Sequence, residues 1–224
     1  MISIIIPVYN EESMLSRASG NLQKLLFKAE LIFVDGGSSD QSFDITGRLG
    51  KALCSKKGRA IQMNHGASCA KGDILLFLHA DNIISPAALD SIEKKIASDN
   101  CVGGCFTQKI DNDAFIYRLI EWQGNIRALM TKEFYGDQGI FVKKEAFLKI
   151  GGFPEMPIME DIFFTKKLRK YGKTAVLPDK ILVSARRWEK AGVFKTSLLF
   201  SLIVLLFRLK VPLNKIKQLY ADLR

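Results

Sequence analysis

The sequence contains few cysteines, and they follow neither a disulfide nor a zinc-binding pattern. They lie at positions 54, 69, 101 and 105. Cys101 and Cys105 form an isolated C-x3-C spacing with no second pair and no nearby histidine, so small buried thiols are expected there rather than a metal site. Free thiols suit a reducing compartment. We therefore predict a cytoplasmic protein without a disulfide framework.

Signs of a modular or secreted chain are also scarce. No stretch is repetitive or rich in Pro, Ser and Gly like a flexible linker. Ile2–Ile6 follows no basic segment and precedes no small-residue cleavage site, so it predicts a strand and not a signal peptide. With 224 residues, 48% of them hydrophobic, the chain can bury a sizeable core. We predict one compact domain over residues 1–191 and a C-terminal helical appendage over residues 192–224.

Acidic residues are outnumbered by basic ones, and the formal net charge is +10. Such a charge suits a polyanionic partner: nucleic acid, anionic lipid or a phosphorylated substrate. Basic residues are not interleaved with aromatic ones as on an RNA-binding face. We therefore expect no nucleic-acid partner.

Apolar runs alternate with helical patterns in the first part of the sequence. Ser3–Val8, Leu31–Val34 and Ile74–Leu78 resemble strands buried on both faces of a sheet, and a helical spacing between Met14 and Leu26 separates the first two. Strand, helix, strand in this order predicts parallel strands and an α/β fold. In such folds ligands bind beyond the carboxyl ends of the strands.

Polar and glycine residues follow these runs. Asp35 and Gly36 come after the second run, and the glycine allows a ligand to approach the backbone closely. His79 and Asp81 come after the third. A lone Asp after a strand is usually a turn or capping residue, but several such strand ends together favour a binding site.

Two segments suit phosphate groups. Lys56–Ala60 places three basic residues around a glycine ahead of a helix start, where an anion is favoured, although a solvated basic loop is the alternative. Ala185–Trp188 contains two arginines and a tryptophan. Arginine binds phosphate with two hydrogen bonds and stacks on aromatic rings, so this segment suits a diphosphate.

Two further segments have open interpretations. Gly136–Gly139 encloses a polar pair, Asp137 and Gln138, which indicates either a backbone held close to a partner or an ordinary loop. Glu160 and Asp161 begin a helix among apolar residues. They serve either as charges that favour the helix dipole or as partly buried carboxylates with tuned pKa values.

Two helices carry apolar rows. Phe115–Met130 predicts a helix with Phe115, Leu119, Trp122 and Ile126 on one side. Leu198–Phe207 is nearly all apolar but too short to span a bilayer, which takes about 20 residues. Its basic flanks suit a helix in an anionic membrane interface, and the alternative is a helix buried against the protein or in a homodimer.

Four motifs together resemble the family 2 glycosyltransferases of GT-A fold. They occur in the family's order over about residues 1–190: Ile6–Glu11, Val34–Asp40, Leu78–Asp81 and the pair Glu160-Asp161. Gly58–Asn64 and Ser184–Trp188 are similar, more narrowly, to the bacterial radical-SAM/selenodomain-associated transferases. The resemblance implies a Rossmann-like, mixed but mostly parallel sheet flanked by helices. It also implies transfer of a sugar from a nucleotide-diphosphate donor, UDP- or GDP-linked, with inversion.

The resemblance implies a role for the first motifs. Asp35 would accept hydrogen bonds from the nucleotide base in a pocket lined by Pro7, Tyr9 and Glu11. Arg59 would contact the base or the phosphates. The other candidate nucleotide-sugar-binding residues are Gly36, Asp81, Gly136, Asp137, Gln138, Arg186, Arg187 and Trp188.

The remaining implied roles concern the chemistry. Asp81 corresponds to the last acid of the family's D-x-D motif, which binds Mg²⁺ or Mn²⁺ bridging the diphosphate. Asp161 matches the general base, and Glu160 beside it is the second catalytic candidate. His79 stands where the family has the first Asp. Imidazole can bind Mn²⁺, but one carboxylate ligand is lost.

Two other functions compete with a transferase. A nucleotidyltransferase would want a Gly-rich phosphate loop after the first strand, and Pro7–Asn10 is not one. A non-catalytic nucleotide-sugar-binding or membrane adaptor protein would not need both Asp81 and Asp161. The acceptor is undefined, and a lipid-linked one would suit a protein lying peripherally on the inner face of the cell membrane.

Overall fold

The computed structural model describes residues 1–98 and 100–221, which fold around one mixed sheet. Its strands are β1 Ile2–Val8, β2 Ala29–Asp35, β3 Lys51–Cys54, β4 Ile74–Phe77, β5 Ile83–Ile84, β6 Cys101–Ile110, β7 Ile140–Lys143 and β8 Lys173–Val183, in the order β3-β2-β1-β4-β7-β6-β8-β5. The helices are α1 Glu12–Leu26, α2 Ser42–Leu49, α3 Arg59–Cys69, α4 Ala87–Ser98, α5 Phe115–Thr131, α6 Lys144–Lys149, α7 Glu160–Tyr171, α8 Arg186–Ala191, α9 Val193–Arg208 and α10 Leu213–Ala221. A 3₁₀ turn covers Gly136–Gln138. The predicted mixed, mostly parallel sheet flanked by helices is confirmed.

The first half of the sheet is parallel. β1 pairs with β2 and β4, and β2 pairs with β3, so their carboxyl ends lie at one edge. Residues of β1 pack alternately into two cores, with Ile4 and Ile6 in one and Ile5 in the other. Burial on both faces explains why these strands are continuously apolar.

The second half of the sheet contains the antiparallel pairs. β7 runs antiparallel to β4 and β6, and β8 runs parallel to β6 and antiparallel to β5. From its sequence we predict a strand only over Lys180–Ser184, but β8 already begins at Lys173. Phe106 pairs with Leu177 and Thr107 with Lys180, so Pro178 and Asp179 bulge out of the ladder. Proline is tolerated at such bulges.

The C-terminal helices pack onto the sheet domain. α9 begins at Val193, five residues before the apolar run Leu198–Phe207, and buries Thr196 and Ile203. Phe200 on the same helix packs against a cluster that contains Trp188. Residues 222–224 of the predicted appendage lie outside the described residues. In the part of the chain that the structure describes, no helix is both long and apolar enough to cross a membrane.

Candidate active site

A cleft of about 220 Å³ opens at the carboxyl-end edge of the sheet. β7 is antiparallel to its neighbours, so the turn before it lies at the edge where β4 and β8 end. The charged wall consists of Arg59, His79, Asp81, Asp137, Glu160, Asp161, Arg186 and Arg187. The apolar wall consists of Ile158, Met159, Ile162, Val183, Trp188, Phe200, Ile203 and Val204.

Asp161 lies in the first turn of α7 with both carboxylate oxygens hydrogen bonded. Oδ2 accepts the Gly136 N–H at 2.8 Å, and Oδ1 accepts the Ile162 N–H at 2.8 Å. Burial raises the pKa of the Asp161 carboxyl, and the two backbone donors and Arg59 oppose that shift. The residue before the helix, Met159, has a left-handed backbone with φ 68°. Non-glycine residues adopt this conformation at a cost, often at functional sites.

Gly136 allows two candidate side chains to approach the backbone. A Cβ at this position would lie 2.8 Å from His79 Nε2 and 3.6 Å from Asp161 Oδ2. The turn that carries His79 is itself fixed, because its backbone N–H donates to Asn82 Oδ1 at 2.8 Å. The sequence predicted that the backbone at Gly136 is held close to a partner. In the structure the groups close to it are side chains of the same protein.

Asp137 is a second carboxyl group with a raised pKa. Burial is the main cause; Arg127 opposes the shift and the Asp161 charge adds to it. Asp137 Oδ2 accepts from Gln108 Nε2 at 2.9 Å, and its buried Oδ1 has no hydrogen-bond partner among the described residues. Gln138 is fully buried, and its side-chain oxygen accepts from Arg127 at 3.0 Å. Gln138 therefore holds the turn in place and does not line the cleft.

Arg186 connects two ends of the chain across the cleft. Its guanidinium donates to both carboxylate oxygens of Glu11, at 2.9 and 3.0 Å, and one of its nitrogens lies 3.4 Å from Asp81 Oδ2. The hydrogen bonding with Glu11 raises the pKa of Arg186. One protein cation thus neutralises two acidic residues at this edge of the sheet.

Arg59, the first residue of α3, faces the start of α7. Its Nη1 lies 3.9 Å from Oε1 of the buried Glu160. A buried carboxylate needs such a partner, because transfer of an isolated charge out of water is unfavourable. Glu160 therefore fixes the position of a cation at the cleft.

Asp35 closes the loop that follows β2. Its Oδ1 accepts the N–H groups of Gly37 and Ser38 at 2.7 and 2.8 Å, and its Oδ2 accepts the Ser38 hydroxyl at 2.5 Å. A carboxylate offers about four lone-pair sites, so one on Oδ2 remains for a ligand. At the same sheet edge, the Lys57 ammonium lies 3.5 Å from the centroid of the Tyr9 ring.

Gln62 is a structural residue of this edge that the sequence did not single out. Its buried amide donates to the carbonyls of Val8 and Val34, each at 2.7 Å, and so links the ends of β1 and β2. A Cβ on Gly36 would lie 3.1 Å from the same amide. The predicted importance of Gly36 therefore has a packing reason. The Gly58–Asn64 motif that contains Gln62 was recognised from the sequence, but nothing in the motif indicated that the Gln62 amide is buried.

Trp188 belongs mainly to the core. It packs edge-on against Tyr117 and Phe200, with ring centroids 6.1 and 6.0 Å apart, and presents the rest of its surface to the cleft. The neighbouring Arg187 lies over the Phe200 ring at 5.9 Å. Contact of Trp188 with a diphosphate stays a prediction.

The cleft gathers most of the predicted site residues. Those that line it are Arg59, His79, Asp81, Gly136, Asp137, Glu160, Asp161, Arg186, Arg187 and Trp188. Those outside its lining are Pro7, Tyr9, Glu11, Asp35, Gly36 and Gln138, of which Glu11 is joined to it through Arg186. The sequence analysis missed Tyr135, which lines the cleft with Arg127 stacked 3.4 Å above its ring, because the glycine pattern begins one residue after it.

The residues present fit a divalent ion only together with ligand oxygens. Within residues 1–98 and 100–221, no group of three or more His, Cys, Asp and Glu side chains could hold a metal. Asp81 and His79 line the same cleft and could supply one oxygen and one nitrogen. An ion of this kind prefers six or more mainly oxygen ligands, so phosphate oxygens and water would have to complete the set.

Solved structures with the same fold include two glycosyltransferases. One is the mannosyltransferase PcManGT from Pyrobaculum calidifontis in complex with GDP-Man and Mn²⁺, with a TM-score of 0.64 at 19% identity over 81% of this chain and 56% of that one. The other is S. aureus TarS 1-349 in complex with UDP-GlcNAc, with a TM-score of 0.64 at 19% identity over 82% of this chain and 58% of that one. The predicted GT-A fold is thus confirmed.

A curated relative and a family model give the same assignment. An uncharacterized glycosyltransferase of Haemophilus influenzae is 30% identical over 184 residues, which are 75% of this chain and 62% of the relative. The chain thus spans about three fifths of that relative's length. The narrower resemblance to the radical-SAM-associated subgroup stays a prediction. The model described as Glycosyl transferase family 2 matches residues 3–153, and the chain therefore belongs to glycosyl transferase family 2.

Proposed function

We propose that this protein is an inverting glycosyltransferase that moves a sugar from a UDP- or GDP-linked donor to a hydroxyl acceptor. The observation that carries the proposal is the convergence of Asp161, Asp81, Arg59 and Arg186 on one cleft at the carboxyl edge of the sheet. The donor complexes of the two structural relatives support it, because they hold GDP-Man and UDP-GlcNAc in proteins of this fold.

Asp161 is the proposed general base. A base must reach the acceptor hydroxyl and hold a pKa closer to the working pH than that of a free carboxyl group. Burial supplies the second condition. The Gly136 and Ile162 N–H groups orient the carboxylate, so it can take the proton as the acceptor oxygen attacks the sugar carbon. A single base and a direct displacement invert that carbon.

The cations of the cleft are proposed to hold the donor diphosphate. Arg59 and Arg187 line the cleft, and Arg186 can exchange Glu11 and Asp81 for phosphate oxygens. Charge stabilisation of a leaving diphosphate by such groups lowers the barrier. Mg²⁺ or Mn²⁺ held by Asp81, with His79 as a further ligand, would add Lewis-acid stabilisation of the same charge.

The other end of the donor is proposed to meet Asp35 and Tyr9. Asp35 keeps one lone pair for a base N–H, and Pro7 and Glu11 belong to the same β1 end. The half-exposed Tyr9 ring offers a face to the base.

The acceptor is proposed to be lipid-linked. Part of the apolar wall is formed by Phe200, Ile203 and Val204 of α9. The lipid tail of an acceptor could pack against these side chains next to the reacting hydroxyl. α9 carries exposed leucines on its other side. We therefore propose a peripheral contact between α9 and the cytoplasmic face of a membrane.

Thermal unfolding with nucleotides tests the donor proposal. A ligand that binds the native state raises stability by RT ln(1 + [L]/Kd). UDP, GDP and their sugars are each tested with and without Mn²⁺. The ligands of one nucleotide family, either UDP or GDP, should raise the Tm. No shift with any nucleotide or nucleotide sugar would contradict the proposal.

Calorimetry with two variants then tests the division of roles. Asp81→Ala should weaken binding of the diphosphate with Mn²⁺ and spare the bare nucleoside, whereas Asp35→Ala should weaken both. Equal losses for both ligands in both variants would defeat the assignment.

A further inference from the structure

α5 has an apolar outer face that nothing in the described part of the chain covers. Phe115, Trp122 and Met130 are 74%, 64% and 80% exposed, and Leu119 and Leu129 are also exposed. At 100° per residue these side chains fall within a sector of about 100° along the helix. Exposed apolar residues are ordinary when scattered, but a continuous row of this size marks an interaction surface.

α9 has a second row of the same kind. Phe194 and Leu198 are 82% and 72% exposed, and Leu202, Leu205 and Leu209 continue the row. Its opposite face is packed, with Thr196 and Ile203 buried.

The inner faces of both helices pack on one cluster. Ile116 and Ile120 of α5 and Val193 and Phe200 of α9 all contact the cluster of Ile110, Tyr117, Ala185 and Trp188. The two exposed rows therefore belong to two helices that share one packing cluster.

The charge around the α9 row favours a lipid surface. Residues 192–221 contain five Lys and Arg and no Asp or Glu. Lys195, Arg208 and Lys210 are exposed beside the α9 row. An apolar row bordered by cations matches an anionic bilayer interface, and an exposed tryptophan such as Trp122 is typical of the headgroup level.

We propose that the outer rows of α5 and α9 form one lipid-contacting surface, so that the protein sits on an anionic bilayer through two helices. The proposal extends the membrane contact of α9 proposed above. It also brings the part of the apolar cleft wall that α9 provides next to the bilayer from which a lipid-linked acceptor would come.

The two tryptophans of the chain give a direct test. Trp122 is exposed and Trp188 is buried at 7%. Vesicles of phosphatidylcholine and phosphatidylglycerol with brominated acyl chains should quench Trp122, and the Trp122→Phe variant should lose that quenching. Absence of quenching in the wild type would overturn the role of α5.

Cosedimentation with the same vesicles measures the contribution of each row. Leu119→Glu with Trp122→Glu should weaken binding by about tenfold or more, and so should Leu198→Glu with Leu202→Glu. High salt should weaken wild-type binding, because charge attraction is screened. Phe27→Glu is the matched control, since Phe27 is an exposed aromatic outside both helices, and it should bind like the wild type.

The outcomes separate this inference from the proposals it rests on. Loss of binding in the α9 variant alone would overturn the α5 surface and keep the α9 contact. No vesicle binding by the wild type would overturn both, while nucleotide-induced Tm shifts would still support the transferase. A wild-type dimer that Leu119→Glu with Trp122→Glu converts to a monomer, without vesicle binding, would assign the surface to a second copy of the chain.

Discussion

At the scale of single residues, the cleft combines a half-buried acid, Asp161, with donors that orient it, and the proposed chemistry depends on this residue. Asp161→Asn should lower transfer by ~10²–10⁴-fold and leave nucleotide affinity nearly unchanged. Because the carboxylate is the active form, the wild-type rate should fall as the pH drops through the raised pKa of Asp161. Steady-state rates across pH check this. Asp44→Asn, an exposed change on α2, is the control, and wild-type turnover by Asp161→Asn would refute the assignment.

Asp137 should destabilise the fold at neutral pH. Its pKa is raised above the ordinary 3.8 by burial, so the folded state binds a proton more tightly than the unfolded chain. Stability is then lost as the pH rises from about 3.8 through the raised pKa. Asp137→Asn should therefore be more stable than the wild type at pH 7, with a difference that shrinks towards pH 4. Urea unfolding at several pH values measures it, and a pH-independent difference would contradict the argument.

Gly136 should be intolerant of even one added carbon. Gly136→Ala places a Cβ 2.8 Å from His79 Nε2, so the imidazole or the turn must move. We expect transfer to fall by about tenfold or more, since small misplacements at a reacting centre are costly, with a cooperative unfolding transition retained. Gly20→Ala is the matched control, because a Cβ there meets nothing within 4 Å. Full activity of Gly136→Ala would show that the close approach has no catalytic role.

At the scale of secondary-structure elements, the sheet edge proposed to bind the nucleotide depends on the spacing of β1 and β2, which Gln62 of α3 fixes. Gln62→Leu removes two buried hydrogen bonds and leaves the Val34 carbonyl without this donor. The expected loss is about 1–3 kcal/mol of unfolding free energy, accompanied by weaker nucleotide binding. Urea unfolding with Gln23→Leu, an exposed change on α1, as the control checks this. Equal stability of the two variants would mean that the bridge contributes nothing.

The strands of the parallel half were predictable because both their faces are buried. A continuous apolar run as short as Ile74–Leu78, bounded by turn residues, fits a buried strand better than a helix. The start of α7 at Glu160 was also predicted. The first part of β8 was not predicted, because Pro178 and Asp179 resemble a turn when the strand that bulges around them is unknown.

Periodicity also showed which residues share a face, but not what covers that face. The row of Phe115, Leu119 and Trp122 has the spacing of a core-facing row, yet it is exposed. In the same way the sequence predicted several charged residues of the cleft, but not that Arg186 would pair with Glu11. Such pairings depend on the order of the strands, which local patterns do not encode.

At the scale of the whole molecule, α9 and the cleft form one packed unit. Removal of residues 193–224 would uncover Trp188 and delete the Phe200, Ile203 and Val204 part of the cleft wall. We expect a loss of about 3 kcal/mol or more, because each fully buried large side chain contributes about 1.5–3 kcal/mol. Urea unfolding, followed by Trp188 fluorescence, measures it. An unchanged midpoint and an unshifted Trp188 emission would show that the residues 192–224 form a separable appendage.

The bond between Glu11 and Arg186 joins positions 175 residues apart. The chain emerges from the ribosome with its N-terminus first, and domains begin to fold during synthesis. β1, β2 and β4 can pair while α8 is still unmade, and Glu11 and Asp81 then face each other without their shared cation. A nascent chain halted before Arg186 should therefore form the sheet edge proposed to bind the nucleotide but should bind a diphosphate weakly. On the proposed role of Arg186, binding of the donor diphosphate would be complete only after α8 has been synthesised.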